Sequence, residues 1–295
     1  MHKIRNYLNL IKFSHSIFAM PFAMVGFFLG VKSLETELIY EPWYVQYGRL
    51  FILVVLCMVF ARSAAMAFNR YLDRYFDAKN PRTAIREIPT GILKANNVLL
   101  FTIVNCVLFI AICFFINKIC FFLSPIALIV ILGYSFTKRF TPLCHLILGL
   151  GLSLAPIGAY LAVTGHFDFL PILFSLAVLF WVSGFDIIYA LQDEEFDKEN
   201  KLFSIPTALG KANALAVSRL LHLLTSIVVI YAGWAGKFGM FYWAGAFIFI
   251  GMLFYQHSVV KPNDLKRVNL AFMTSNGIAS VVFAIFVITD MYFLK

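Results

Sequence analysis

The chain has 295 residues, of which 61% are hydrophobic and only 13% charged, with 33 Phe and a mean hydropathy of +0.85. A soluble domain carries about 25% charged residues, so this composition excludes one and predicts an all-α integral membrane protein, with 1–295 forming a single polytopic domain. The net charge of +9 would suggest nucleic acid in a soluble protein. Here the basic residues fall in loops between apolar runs, so the expected partner is the lipid bilayer and no nucleic acid.

Taken in order, nine apolar runs approach the ~20 residues that a bilayer requires. They are 16–34, 50–68, 98–117, 119–136, 143–163, 169–190, 214–235, 239–256 and 270–292. Lys3, Arg5 and Lys12 precede the first run. No small-residue cleavage site follows it, so it reads as a retained helix rather than a signal peptide. Only Asn117-Lys118 separates the third run from the fourth, which predicts a tight hairpin. The five Cys (57, 106, 113, 120, 144) lie in or at the ends of apolar runs without metal-ligand spacing and read as packing residues.

With the N-terminus in the cytoplasm, eighteen of the 24 Lys/Arg fall in inside segments and five outside, with Arg62 within a span. That asymmetry is a strong orientation signal. It places the two longest inside loops, ~29 and ~23 residues, on one side; loops of that length are uncommon unless functional. Short helices forming a lid are expected in both.

The first of these loops begins at Asn69-Arg-Tyr-Leu-Asp73-Arg-Tyr-Phe-Asp77. Steps of four on a helix of 3.6 residues per turn put Asn69, Asp73 and Asp77 along one face, with Arg70 and Arg74 away from it or at its border. Hard cations want such oxygen ligands, and Mg²⁺ prefers one or two carboxylates completed by substrate phosphates. By itself the stretch is equally a solvated helix end. The second long loop begins at Asp186-Ile-Ile-Tyr189-Ala-Leu-Gln-Asp193-Glu-Glu-Phe-Asp197. Offsets of three, seven and eleven keep Tyr189, Asp193 and Asp197 on the stripe of Asp186. Two facing stripes of this kind suit Mg²⁺ ions around a diphosphate.

Ionisable groups within spans are functional candidates because each is costly to bury. Arg62 lies two turns before Asn69, and Asp186 is the deepest acid of the second stripe. Lys138 and Arg139 end the fourth span and also fit as positive-inside anchors. Asp290, His145, His166 and His257 have no partner by spacing and receive no chemistry.

Together these segments resemble a known family. Asn69-x3-Asp73-x3-Asp77, followed by Arg82-Thr-Ala-x-Arg86-x2-Pro89-x-Gly91, resembles the first signature of the UbiA family of intramembrane aromatic prenyltransferases. Asp186-x2-Tyr189-x3-Asp193-x3-Asp197 resembles the second. Arg62-Ser-Ala and Tyr134-x3-Lys138-Arg139 match as well, and the likeness runs along the whole chain.

The resemblance implies that a polyprenyl diphosphate alkylates an aromatic ring. It implies Mg²⁺ as cofactor, held by Asn69, Asp73, Asp77, Asp193 and Asp197, with Arg82, Arg86 and Lys79 on the diphosphate. The allylic cation left behind must be kept from water, and Tyr189 could stabilise it by cation–π attraction. The acceptor is expected to be a phenolic or naphtholic acid, with Asp186 as candidate base and Lys138, Arg139 or Arg62 binding a carboxylate. Within the family this favours 4-hydroxybenzoate, hence quinone biosynthesis. The stretches Lys12–Pro21 and Phe203–Gly210 also resemble the futalosine-route menaquinone branch, which would take a related naphthoate or futalosine-derived acid. Many 4-hydroxybenzoate enzymes carry Lys before the Ser of the second stretch; here Phe203 precedes Ser204, leaving Lys198 or Lys201 as substitutes. A bacterial inner membrane with the site on the cytoplasmic side suits a lipid-soluble donor. Two other classes compete: a cation transporter, whose sites usually lie nearer the midplane, and a CDP-alcohol phosphotransferase, whose signature spacing is absent.

Overall fold

The computed structural model describes residues 2–11, 20–35 and 42–293. The chain forms helices α1 (His2–Leu10), α2 (Met20–Leu34), α3 (Trp43–Lys79), α4 (Ala95–Ile116), α5 (Lys118–Thr137), α6 (Cys144–Thr164), α7 (Phe169–Ala190), α8 (Glu194–Glu199), α9 (Ile205–Ala235), α10 (Met240–Val259) and α11 (Asn276–Phe293). The described residues contain no β-strand beyond one isolated bridge, Lys261 to Asp264. This is the expected all-α, multi-pass membrane bundle.

Among the described residues seven helical segments are long and apolar enough to cross a bilayer: Tyr44–Lys79, Ala95–Ile116, Lys118–Thr137, Cys144–Thr164, Phe169–Glu199, Ile205–Ala235 and Leu270–Tyr292. The expected first and eighth spans coincide with α2, an apolar helix of 15 residues, and with α10, whose 20 residues include Tyr, Trp, Gln256 and His257. The expected 16–34 begins in residues outside the described ones, as does most of Lys12–Pro21.

Packing follows close helix approach rather than water exclusion, since lipid is as apolar as the core. A Cβ at Gly26 would collide with the carbonyl of Pro156, so glycine is what lets α2 lie against α6. Trp181 of α7 is buried against Phe22 of α2 and Phe249 of α10, with Phe283 of α11 closing the aromatic cluster. Large apolar side chains such as Leu100, Phe122, Ile129 and Phe247 are exposed and face lipid. Asp290, without a partner by spacing, accepts from the backbone N–H groups of Gly239 (2.7 Å) and Tyr242 (3.1 Å). It satisfies donors at the start of α10 that the helix itself leaves unpaired.

Two differences from the sequence reading matter for the site. Helix α3 runs through the first motif to Lys79 instead of giving way to a loop at Asn69, because four-residue spacing of polar groups beside Tyr71, Tyr75 and Phe76 is as compatible with helix as the apolar part. The intervening segment, 80–94, consists of turns without the expected short helix. Pro81 and Pro89 lack donors and Gly91 sits at φ 77°, all three unsuited to helix. In the second loop α7 ends at Ala190, Leu191–Asp193 tightens into a 3₁₀ turn, and α8 follows.

Candidate active site

The two motifs meet at one cavity of about 590 Å³. Helix α3 contributes Arg62, Asn69, Arg70, Asp73 and Asp77 to its lining, and the 80–94 segment contributes Asn80, Arg82 and Arg86. Tyr134, Lys138 and Arg139 come from the end of α5 and the turn after it, and His145 from α6. Asp186, Tyr189, Asp193 and Asp197 complete it from α7 to α8. The tightened turn breaks the single stripe expected from offsets of three, seven and eleven, yet all four side chains reach the same space. Of the residues singled out in the sequence, Lys79 stands apart: it is exposed at the end of α3 and does not line the cavity. Lys198 and Lys201 do not line it either. Lys198 pairs with Glu194 at 2.6 Å.

Each acid is met by a base from another element. Arg82 grips Asp193 with both edges of its guanidinium, Nε to Oδ1 at 3.0 Å and Nη2 to Oδ2 at 2.5 Å, and donates to the Tyr189 hydroxyl at 2.8 Å. Asn80 donates to the same Asp193 Oδ1 at 3.1 Å. Such fork-to-carboxylate pairing fixes orientation as well as charge. Arg86 Nη1 lies 2.5 Å from Asp77 Oδ1, Lys138 Nζ 2.8 Å from Asp197 Oδ2, and Arg139 Nη2 3.4 Å from Asp73 Oδ1. Arg139 also donates to the Leu72 carbonyl at 2.9 Å. Asn69 donates to Asp73 Oδ2 at 3.0 Å, one helical turn away. Burial opposes the Lys138 ammonium, but the charge of Asp197 and the hydrogen bond to it prevail and raise its pKa above the ordinary lysine value. The same balance, burial against Asp193 and Tyr189, raises that of Arg82.

Apart from Ser135 Oγ, and Asp197 Oδ2 with its Lys138 ion pair at 2.8 Å, three polar atoms of the lining are buried without a hydrogen-bond partner among the described residues: Asp77 Oδ2, Asp197 Oδ1 and Arg62 Nε. Buried polar atoms are nearly always satisfied, so orphans at a cavity wall point to a missing partner. Two are acceptor-only oxygens, one from each motif, and call for a cation. The third is a donor and calls for an anion. Among the described residues no three His, Cys, Asp or Glu surround a single point. A metal here would therefore take few protein ligands and complete its shell elsewhere, which fits the coordination habit of Mg²⁺ with phosphates.

Sequence reasoning missed three residues. Arg70, expected away from the acidic face or at its border and given no role, is buried at the cavity wall, which the helical spacing alone did not disclose. Asn80 links the end of α3 to Asp193. His145, assigned no chemistry, sits with Nδ1 2.7 Å from Asp186 Oδ2, while its Nε2 accepts from the Ile205 N–H at 3.4 Å. An acceptor role for Nε2 leaves the proton on Nδ1, aimed at the carboxylate.

A second cavity of about 390 Å³ adjoins the first; Arg62, Met66, Tyr134, Leu148 and Leu152 line both. Its wall is apolar, drawn from α3 to α6, and includes Cys57, Ala61, Phe109 and Cys113. The chemistry laid out is thus a charged head site continuous with a greasy compartment.

An intramembrane bundle with two acidic motifs, matching bases and an adjoining apolar chamber defines a membrane enzyme that handles a lipid with an anionic head. Residues 19–278 match the UbiA prenyltransferase family. The chain belongs to that family and is a membrane polyprenyltransferase. It is 30% identical over 223 residues to the 4-hydroxybenzoate octaprenyltransferase of Tolumonas auensis, covering 76% of this chain and 78% of the relative. It is 28% identical over 260 residues to that of Nitrosomonas eutropha, covering 87% and 91%. Among solved structures, an apo UbiA homolog from Aeropyrum pernix K1 superposes with a TM-score of 0.77 at 28% identity, over 92% of this chain and 95% of the other. A UbiA homolog from Archaeoglobus fulgidus bound to DMAPP and Mg²⁺ gives 0.73 at 22% identity, over 98% and 100%; that likeness is one of fold.

Proposed function

We propose that this protein transfers a polyprenyl group from a polyprenyl diphosphate to the ring of an aromatic acid, 4-hydroxybenzoate above all, in a Mg²⁺-dependent step of quinone synthesis. The observation that carries the reading is the convergence of both acidic motifs and six basic side chains on the head site, with orphaned carboxylate oxygens on each motif. Asn69, Asp73, Asp77, Asp193 and Asp197 would hold Mg²⁺, which when bound neutralises charge on the departing diphosphate.

The chain's own residues do the rest. Arg82, Arg86 and Lys138 now neutralise acids and become phosphate donors when a diphosphate competes for them. The tail lies in the apolar chamber. Arg62, with its orphaned Nε where head site and chamber join, takes the acceptor's carboxylate in preference to Arg139, which is already engaged by Leu72 and Asp73. Asp186, oriented by His145, accepts the proton of the phenol or of the alkylated ring. Tyr189 lines the space where the allylic cation forms.

The 80–94 turns and α8 act as the lid, all nine apolar helices cross the bilayer, and the N-terminus and head site face the cytoplasm of a bacterial inner membrane. The identity to named 4-hydroxybenzoate enzymes supports the acceptor. The test is a membrane assay with Mg²⁺ and geranyl diphosphate, comparing 4-hydroxybenzoate with 1,4-dihydroxy-2-naphthoate and following prenylated product by mass spectrometry. Product from the benzoate is expected. Product from the naphthoate alone would move the protein to menaquinone synthesis, and Mg²⁺ flux across liposomes without diphosphate release would overturn the enzyme reading.

A further inference from the structure

Between the loop after α10 and α11 the helix is not regular. Leu270–Ser275 forms a π-helical turn, wider than an α-turn by one residue per hydrogen-bonded ring. Such turns are rare and frequently mark functional sites. This one borders the head site: Asn269, Phe272 and Met273 all line the cavity. Phe272 lies stacked on Tyr189, with ring centroids 4.3 Å apart and planes 30° from parallel. Tyr189 in turn accepts from Arg82, so the stacked pair forms a wall one contact away from the diphosphate machinery.

The wide turn is held by Asn276, which is fully buried. Its Nδ2 donates to the carbonyl oxygens of Ala271 (3.2 Å) and Phe272 (2.9 Å), the carbonyls that a widened turn strains away from α-helical partners. Its Oδ1 accepts from Trp181 Nε1 on α7 (2.9 Å) and Gln256 Nε2 on α10 (2.7 Å). All four bonds of Asn276 are made in a water-poor interior, where breaking one is costly, although Gln256 Oε1 is itself buried without a hydrogen-bond partner among the described residues. Ser275 Oγ adds a weaker tie to the Leu270 carbonyl at 3.3 Å.

We infer that Asn276 is a positioning residue for catalysis: by pinning the π-turn to α7 and α10 it sets Phe272 against Tyr189 as the aromatic wall that shields the allylic cation from water. The inference rests on the prenyl-transfer reading. Relaxing the turn to a regular helix would remove one residue from the winding, rotating the preceding residues by about 100° around the axis and carrying Phe272 off Tyr189. In the reaction the allylic C1–O bond breaks and its electron pair leaves with the diphosphate. The cation then has two fates. A ring carbon of the acceptor captures it and that carbon loses its proton to the base, or a water oxygen captures it and sheds a proton to give free prenol. A wall of two rings favours the first fate by cation–π attraction and by excluding water.

The experiment measures the ratio of prenol to prenylated acceptor in wild type, Asn276→Leu, Phe272→Leu and the double variant, with geranyl diphosphate, Mg²⁺ and 4-hydroxybenzoate. That ratio does not depend on how much enzyme is folded, so a merely structural loss leaves it unchanged. We expect it to rise on the order of tenfold in each single variant, with KM for the donor nearly constant and no further rise in the double variant. An unchanged ratio in Phe272→Leu would overturn the inference even if Asn276→Leu fails to fold, and where it folds, an unchanged ratio in Asn276→Leu or additive increases in the double variant would overturn it as well. Absence of any prenylated product from wild type with every acceptor would instead be failure of the functional reading.

Discussion

His145 Nδ1 lies 2.7 Å from Asp186 Oδ2, although the two are 41 residues apart in sequence and stand on different helices. His145 is buried and Asp186 reaches the cavity, so the histidine holds one carboxylate oxygen and leaves the other facing the acceptor. Without that hydrogen bond the carboxylate is free to turn, and the oxygen aimed at the acceptor is no longer held in place.

His145→Ala is therefore expected to lower kcat by about 10²-fold, the lower end of the roughly 10²–10⁴ that a general base contributes, with little change in KM for the prenyl donor. His145→Gln keeps a donor toward Asp186 and recovers part of the rate. Steady-state kinetics at fixed Mg²⁺ checks both, and equal kcat for wild type and His145→Ala would remove the pair from the chemistry.

That relationship also measures what was legible in the chain. Asn69, Asp73 and Asp77 were readable because helical geometry turns a four-residue spacing into one face, and α3 does continue through them. Tyr189, Asp193 and Asp197 were readable for the same reason, but the 3₁₀ turn at Leu191–Asp193 comes from local backbone tightening that spacing does not encode. His145 was not readable, since its partner is fixed by how α6 packs on α7. The same holds for Arg70, whose burial depends on which side of α3 the 80–94 segment covers, and for Asn276, whose four bonds reach two other helices and the turn before it. Periodicity reports which residues share a face. It does not report what that face meets.

Asp73 and Asp193 belong to opposite motifs and are held by Arg139 and Arg82. Asp73→Ala and Asp193→Ala are each expected to abolish turnover while the protein remains folded in the membrane, and EDTA is expected to do the same reversibly in wild type. Product formation with each variant, alongside detergent-extracted yield and chromatographic profile, decides it. Near wild-type activity in either variant would exclude that acid from the metal site.

Arg62 and Arg139 are separated by their present engagements. Arg62 Nε is buried without a partner, whereas Arg139 is tied to Leu72 and Asp73. Losing a charge-assisted pair costs about 1.5–3 kcal/mol, so Arg62→Gln is expected to raise KM for 4-hydroxybenzoate by roughly 10- to 100-fold with donor KM nearly unchanged. Arg139→Ala is expected to raise donor KM at least as much as acceptor KM, through Asp73. The reverse pattern would assign the acceptor carboxylate to Arg139.

The apolar chamber makes the last prediction. Ala61 is buried in its wall, on α3 one residue before Arg62, where the head site opens into the chamber. With the tail in the chamber, as proposed, several isoprene units pass this point, whereas geranyl diphosphate places little beyond it. Ala61→Phe fills the passage at an overpacking cost of about 1–3 kcal/mol, and that cost falls equally on every donor because it is borne by the free enzyme. The ratio of kcat/KM for octaprenyl to geranyl diphosphate therefore isolates obstruction from instability. It is expected to fall at least tenfold in Ala61→Phe and to stay near wild type in Ala61→Ser, which keeps the volume. An unchanged ratio in the Phe variant would show that the tail leaves the head site by another route, directly into lipid, and that the 390 Å³ chamber is packing space rather than part of the donor site.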